Sequence, residues 1–462
     1  MPIEEAIYVY EMNRNIKAVI DTPHGRTEEI QIDEAVRQGT IFGTTMCGVS
    51  INRINKMGRP DPLILHESIE IECPIFVDDI SGMGKATRIE NIGEKMAGLE
   101  TTKKVQFNNN KDKTEYLIQK NSKEKIEEVG IKVMKGEVGR TKEYKCLGDY
   151  YDETGNNEIK IQKKMEKANF MAFEVKRRGA YTTVGRADMS VQLLLLDTVI
   201  KETLLANTET WCNITNKEEA MITSKHHSVL CILFGQPKST PYFGILGETG
   251  IWPYKYIIKY KMLMFLHHIV HSSDDRMAKR IILRQQQMLE EHNKRRTWYF
   301  ELNEWIEVMK IDISIRTKEL ENKTKSKWKK ELKEKLAGAI EREFQDETEQ
   351  KTKLRFQRNK LFQREEYVQQ CNAEMVQRIM KIRLNMVECK SNFKGKYSDT
   401  TCLVCDKEET TEHLFECEHY KQYTGIHNEL EELKMESTEW LIKAARKMDV
   451  IQELRLQHTE QR

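Results

Sequence analysis

Proline disappears from this sequence after Pro253, and only three of its 23 glycines (Gly338, Gly395 and Gly425) lie beyond that point. Losing both breakers over the second half excludes a turn-rich sheet there and predicts helices. Long apolar runs are also missing. The best, Val191 to Ile200, is interrupted by Asp197 and falls short of the roughly 18 residues a membrane span needs. The opening MPIEEAIYVY carries acids where a secretion signal has a basic region. No membrane partner is expected, and the location expected is intracellular, nucleus or cytoplasm. Nor is there an excess of one charge: 75 Lys and Arg against 73 Asp and Glu leave +2, so any grip on a polyanion must be local. Cysteine is modest at ten residues. Seven are scattered singly (Cys47, Cys73, Cys146, Cys212, Cys231, Cys371 and Cys389), which reads as reduced thiols and not a disulfide framework.

What is present divides the chain. The first 155 residues mix short β-prone stretches with amphipathic segments: KAVIDTPHGRTEEIQI reads as two strands about a Pro-His-Gly turn, and RIENIGEKMAGLETTKKV as a helix. A small antiparallel sheet backed by helices is expected, hence an α+β class. Residues 156–290 carry apolar residues at helical spacing in NEIKIQKKMEKANFMAFEVKRR and MSVQLLLLDTVIKETLLANTETW and read as a helical bundle. Residues 291–390 form a charged helical arm. From His271 to Gln370 there are 24 basic and 19 acidic residues, which predicts long solvated helices, or else a surface for nucleic acid. Residues 391–462 hold a cysteine cluster and a closing amphipathic helix.

Two features of the first part carry chemistry. Asp78 and Asp79 follow Ile75-Phe76-Val77 at a turn between β-prone stretches. Adjacent carboxylates repel, and a hard divalent cation such as Mg²⁺ relieves that repulsion, although such a pair is also an ordinary polar turn or cap. Upstream, Arg37-Gln38-Gly39-Thr40-Ile41-Phe42-Gly43 forms a loop that opens a helix, and its backbone can approach a phosphate closely. Downstream come Lys113-Thr114-Glu115 and the hairpin signal Tyr144-Lys145-Cys146-Leu147-Gly148.

In that order, AVRQGTIFG, IFVDD, FNNNKDKTEYLI and YKCLGDYY resemble the palm motifs of reverse transcriptases from non-LTR retrotransposons. LLLLDTVIKETLLANTETW and TPYFGILGETGIWPYKYIIKYKML are similar to the thumb of the same proteins. The resemblance implies a partial right-hand palm over 1–155, a helical thumb over 156–290, the arm, and a zinc knuckle with a last helix over 391–462. It implies an RNA-directed DNA polymerase using Mg²⁺, an RNA template, a DNA primer and deoxynucleoside triphosphates. Asp78 and Asp79 take the place of the catalytic metal ligands, and Lys113 that of a lysine near the leaving pyrophosphate. Arg37, Gln38, Gly39 and Gly43 match the loop for nucleotide and template. Tyr144, Cys146, Leu147 and Gly148 match the primer grip. Two-metal transfer needs carboxylates from two places, because the ions sit about 3.5–4 Å apart. The family's other aspartate strand would lie before Met1, so the resemblance also implies a truncated chain, inactive alone. The alternative is a non-catalytic RNA- or DNA-binding remnant acting through thumb, arm and knuckle.

Cys402-x2-Cys405-x7-His413-x3-Cys417 offers three thiolates and an imidazole, a set that suits a closed, structural Zn²⁺ site. His413 and Cys417 share a face if HLFEC is helical, and His419 is a less well-spaced substitute for His413. Arg378, Lys381, Arg383, Lys390, Lys394 and Lys396, interleaved with Phe393 and Tyr397, either contact nucleic acid or are solvated beside aromatics that pack on the knuckle. The pairs His226-His227 and His267-His268 read as core or surface histidines, because neighbouring helical side chains diverge by about 100°. Trp211 and Trp252 read as core. Trp298, Trp305 and Trp328 have the option of contacting a neighbouring helix.

Overall fold

The computed structural model describes Glu4, Ile7 and Glu11, then residues 16–32, 63–66, 69–71, 75–76, 79–84, 86–103, 113–119, 132–133, 136–179, 189–293, 295–393, 395, 397–424 and 437–460. It divides into two compact units, Met1–Tyr144 and Lys145–Arg462. The class is α+β, mostly helical.

In the first unit, Ile16–Ala18 pairs antiparallel with Ile30–Ile32, and Asp21–Thr22 with Gly25–Arg26, which turns the chain at Pro23-His24 as the sequence pattern indicates. Leu63–His66 pairs with Ile69–Ile71, and Ile75–Phe76 with Asp79–Ile80. Helix α1 (Ala86–Lys103) buries Ile92 and Arg88. The single small sheet expected here takes a different form: among the described residues the strands pair only as two-stranded ribbons. One of these ribbons, Glu115–Tyr116 with Gly139–Arg140, is parallel. The physical reason is burial. Among the described residues of this unit, Ile69 and Ile92 are the only buried hydrophobic side chains, and ribbons without an apolar face have nothing to stack upon.

The second unit has a continuous core. Helix α2 (Glu158–Gly179) buries Ile161, Met165, Ala168 and Ala172, a stripe at three- and four-residue spacing, and packs along α5 (Asn216–Leu233). Between them, α3 (Met189–Leu195) runs through a π-helical turn at Leu196–Ile200 into α4 (Lys201–Leu205). Thr215 caps α5 in a reciprocal box: its hydroxyl accepts from the Glu218 amide at 3.2 Å, and the Glu218 carboxylate accepts from the Thr215 amide at 2.7 Å. Helix α6 (Tyr242–Thr249) is almost wholly buried. Gly247 is required there, because a Cβ would lie 2.5 Å from the Phe344 ring. Helix α7 (Tyr254–Val270) comes next, then α8 (Met277–Glu290), α9 (Trp298–Val308) and α10 (Thr317–Leu320).

The charged arm differs from the solvated helices expected. Helix α11 (Lys325–Gln350) sinks Trp328, Leu332, Leu336, Ala339, Ile340 and Phe344 into the same core as α2 and α7. Its charges occupy the other face, so composition hid an amphipathic pattern. Trp328 is fully buried and donates through Nε1 to the Leu263 carbonyl at 3.1 Å. Trp305 meets Tyr256 edge-on, and Trp298 meets Phe265 in the same way. The core continues through α12 (Glu366–Gln370), α13 (Ala373–Arg383), α14 (Thr411–Glu416) and α15 (Glu418–Thr424) to α16 (Thr438–Glu460).

Candidate metal centre

Three local structures bring Cys402, Cys405, His413 and Cys417 together. A bridge between Thr401 and Glu408 closes a tight turn, inside which the Cys402 amide donates to the Lys407 carbonyl at 2.7 Å. Asp406 takes a left-handed φ of 54° at its tip, a conformation Asp tolerates better than most residues. The hydroxyl of Thr410 then caps α14, accepting from the His413 amide at 3.0 Å. Cys417 ends α14, its amide donating to the His413 carbonyl at 2.7 Å, so His413 and Cys417 stand one helical turn apart on one face.

The four ligand atoms all lie within 4.8 Å of one another. Cys405 Sγ is 3.1 Å from His413 Nε2 and 3.8 Å from Cys417 Sγ. Two sulfurs held about 2.3 Å from one tetrahedral centre stand about 3.8 Å apart, so this donor set fits Zn²⁺. The four residues could hold a metal such as zinc, and all four positions of a tetrahedron are then filled by protein. Burial pushes the Cys402 thiol up to about 11 and also raises that of Cys417. Backbone amides pull the other way, that of Val404 at Cys402 and those of His419 and Tyr420 at Cys417. Those N–H groups stabilise thiolate charge once a cation displaces the protons. Burial lowers the His413 pKa and so keeps its ring neutral, as a metal ligand must be.

The frame around the centre is polar and buried. Glu409, with no exposed surface, accepts from the Lys390 amide at 2.9 Å and from the Arg455 guanidinium of α16. The Thr411 hydroxyl donates to Asn385 at 2.5 Å. His419, the less well-spaced substitute ligand, faces elsewhere: its Nε2 is 3.1 Å from Nε2 of His458.

Three of the basic residues preceding the cluster, Arg378, Arg383 and Lys390, are paired with carboxylates within the molecule. Arg383 is fully buried, with Nε 2.8 Å from Glu248 and Nη2 2.8 Å from Glu365. Burial disfavours its charge, yet those two carboxylates raise its pKa overall. Arg378 pairs with Glu374 and Asp449, and Lys390 with Asp399 at 3.5 Å. Phe393 packs against the core. Lys394 and Lys396 lie outside the described residues. Neither reading of this segment anticipated that both guanidiniums have carboxylates within reach.

The other sequence-derived site residues divide similarly. Arg37, Gln38, Gly39, Gly43 and Asp78 lie outside the described residues. Asp79 stands opposite Phe76 in its ribbon, and Lys113 is exposed at a turn before Glu115–Tyr116. Tyr144 and Cys146 belong to Glu143–Cys146, which pairs with Asp149–Asp152. Leu147 and Gly148 make the turn with φ of 48° and 87°, the two left-handed positions a two-residue hairpin needs. Just past that turn lies a polar cluster that the sequence pattern does not single out. Buried Asp149 is 2.6 Å from Lys164 and accepts from Trp211 Nε1 at 3.3 Å, while Asn207 donates to the Leu147 carbonyl at 2.8 Å. An acid flanking a hairpin and a lysine within an apolar stripe were the only signals of it. No protein-family model matches the chain, and no curated protein matches it.

Proposed function

We propose that this chain is the palm-to-knuckle portion of a reverse transcriptase of the non-LTR retrotransposon type. Its chemistry by resemblance is RNA-directed DNA synthesis with Mg²⁺, an RNA template, a DNA primer and deoxynucleoside triphosphates. The observation that carries the reading is the ordered series of motifs from Gln38-Gly39 through Asp78-Asp79 and Lys113 to Tyr144–Gly148, joined at a distance by the Cys3His set. Antiparallel pairing of Ile75–Phe76 with Asp79–Ile80 supports it, as does the two-residue turn at Leu147-Gly148. Asp78 and Asp79 would hold Mg²⁺ at the reacting phosphate. Two-metal transfer requires acids from two strands, and the motifs matched here supply one of them.

A second reading, a nucleic-acid-binding protein without catalysis, is favoured by the surface of α2. Phe170 and Phe173 are 67% and 60% exposed there, beside exposed Lys163 and Lys167. Aromatic faces beside cations suit stacked bases and phosphates. Primer extension on a ribo-template in Mg²⁺, with Asp78→Ala as control, tests both. No extension with retained template binding is expected, and synthesis abolished by the substitution would establish an active polymerase instead.

A further inference from the structure

A cavity of about 630 Å³ opens in the second unit between α7 and residues 321–325. Half-buried Tyr260, Met264 and Phe265 give it apolar lining, and exposed His268 lines it as well. Its acids are already matched: Glu321 is 3.5 Å from Lys279, and Glu209 is 4.0 Å from Lys261. Lys261 also donates to the Leu205 carbonyl at 2.7 Å, and Lys323 is 2.8 Å from Glu331. Lys325 is left over. It lines the cavity, is exposed, and makes no ion pair among the described residues; Lys329 and Lys333, further along α11 and outside the cavity, are likewise exposed and make no ion pair among the described residues.

These three lysines recur every four residues, so they form one row with a rise of about 6 Å between neighbours. Like charges at that spacing repel, and cations in the first turn of a helix oppose its dipole. Both effects disfavour α11 unless an anion lies alongside. The row begins where the aromatic cavity opens. We infer that this surface takes single-stranded nucleic acid, one unstacked base entering the cavity beside His268 while successive phosphates follow Lys325, Lys329 and Lys333. A duplex keeps its bases stacked and has none to insert. This inference rests on the nucleic-acid reading above and adds a surface to it.

The zinc-loaded full chain is titrated by fluorescence anisotropy with labelled short single-stranded RNA, single-stranded DNA and a blunt duplex over a range of salt. Replacing all three lysines by glutamine (K325Q, K329Q, K333Q) should lower the slope of log K against log salt by about 2 for the single strands. Lys329→Gln alone should lower it by about 0.7. His268→Ala should weaken single-strand binding about tenfold and leave the duplex unaffected. Unchanged slopes in both lysine variants, or a duplex bound as well as the single strands and equally sensitive to His268→Ala, would overturn the inference. Should the wild-type chain bind none of the three nucleic acids, the functional reading itself fails; binding indifferent to every variant sinks this surface alone.

Discussion

Cys417 illustrates how much one side chain carries. It closes the Cys3His set and ends α14, its amide donating to the His413 carbonyl at 2.7 Å. Cys417→Ser should therefore cost zinc affinity by more than about 100-fold. Competition against a chromophoric chelator measures this, and one zinc per wild-type chain is the expected stoichiometry. His226 makes a different prediction. It is fully buried, stacked 3.4 Å from the Tyr254 ring, with Nδ1 2.7 Å from the Tyr242 hydroxyl. Burial, and after it the neighbouring His227, holds its pKa well below the ordinary value of 6.5. The folded chain thus refuses a proton that the unfolded chain accepts below about pH 6.5. Stability is unaffected by this group above that pH and falls as the solution is acidified, at up to about 1.4 kcal/mol per pH unit. Urea titrations of wild type and His226→Phe should diverge on this account between neutral and mildly acidic pH. Parallel curves would refute it.

At the scale of elements, a buried polar junction joins α6, α12, α13 and the segment between α11 and α12. Glu248 accepts from Arg383, from the Tyr367 hydroxyl at 2.8 Å and from Gln357 at 2.8 Å, all of them buried. Removing Glu248 leaves the buried Arg383 charge balanced by Glu365 alone of its two carboxylates. Glu248→Ala is expected to cost about 3–5 kcal/mol in chemical denaturation, while a hydrophobic replacement of both Glu248 and Arg383 should recover much of that. Helices were legible in the sequence wherever apolar residues recur at three and four, as in α2, and wherever breakers vanish, as beyond Pro253. The hairpins at Pro23-His24 and Leu147-Gly148 were legible from their turn residues. The burial of α11 was not, because lysine and glutamate outnumber the apolar positions that decide its packing. The role of Arg383 was equally hidden, since its carboxylate partners lie 135 and 18 residues away. The four residues that could hold a metal were fully legible, since their spacing is itself the geometric constraint.

For the whole molecule, the two compact units differ in what holds them together. The second has a core running from Ile161 to Ile451. The first relies on α1 and short ribbons with little buried apolar surface among the described residues. Two thermal transitions are therefore expected in calorimetry, and zinc should raise only the upper one, because metal bound to one folded unit stabilises that unit by mass action. A single transition that moves as a whole with zinc would show the units to be coupled.

All six tryptophans (Trp211, Trp252, Trp298, Trp305, Trp328 and Trp440) belong to the second unit. Trp211 and Trp328 are sealed from solvent. Indole emission from the native protein will accordingly be shifted to the blue, and its red-shift on heating will follow the second unit alone. Melting of the first unit is silent at that wavelength and needs far-ultraviolet dichroism or a tryptophan introduced there to be seen.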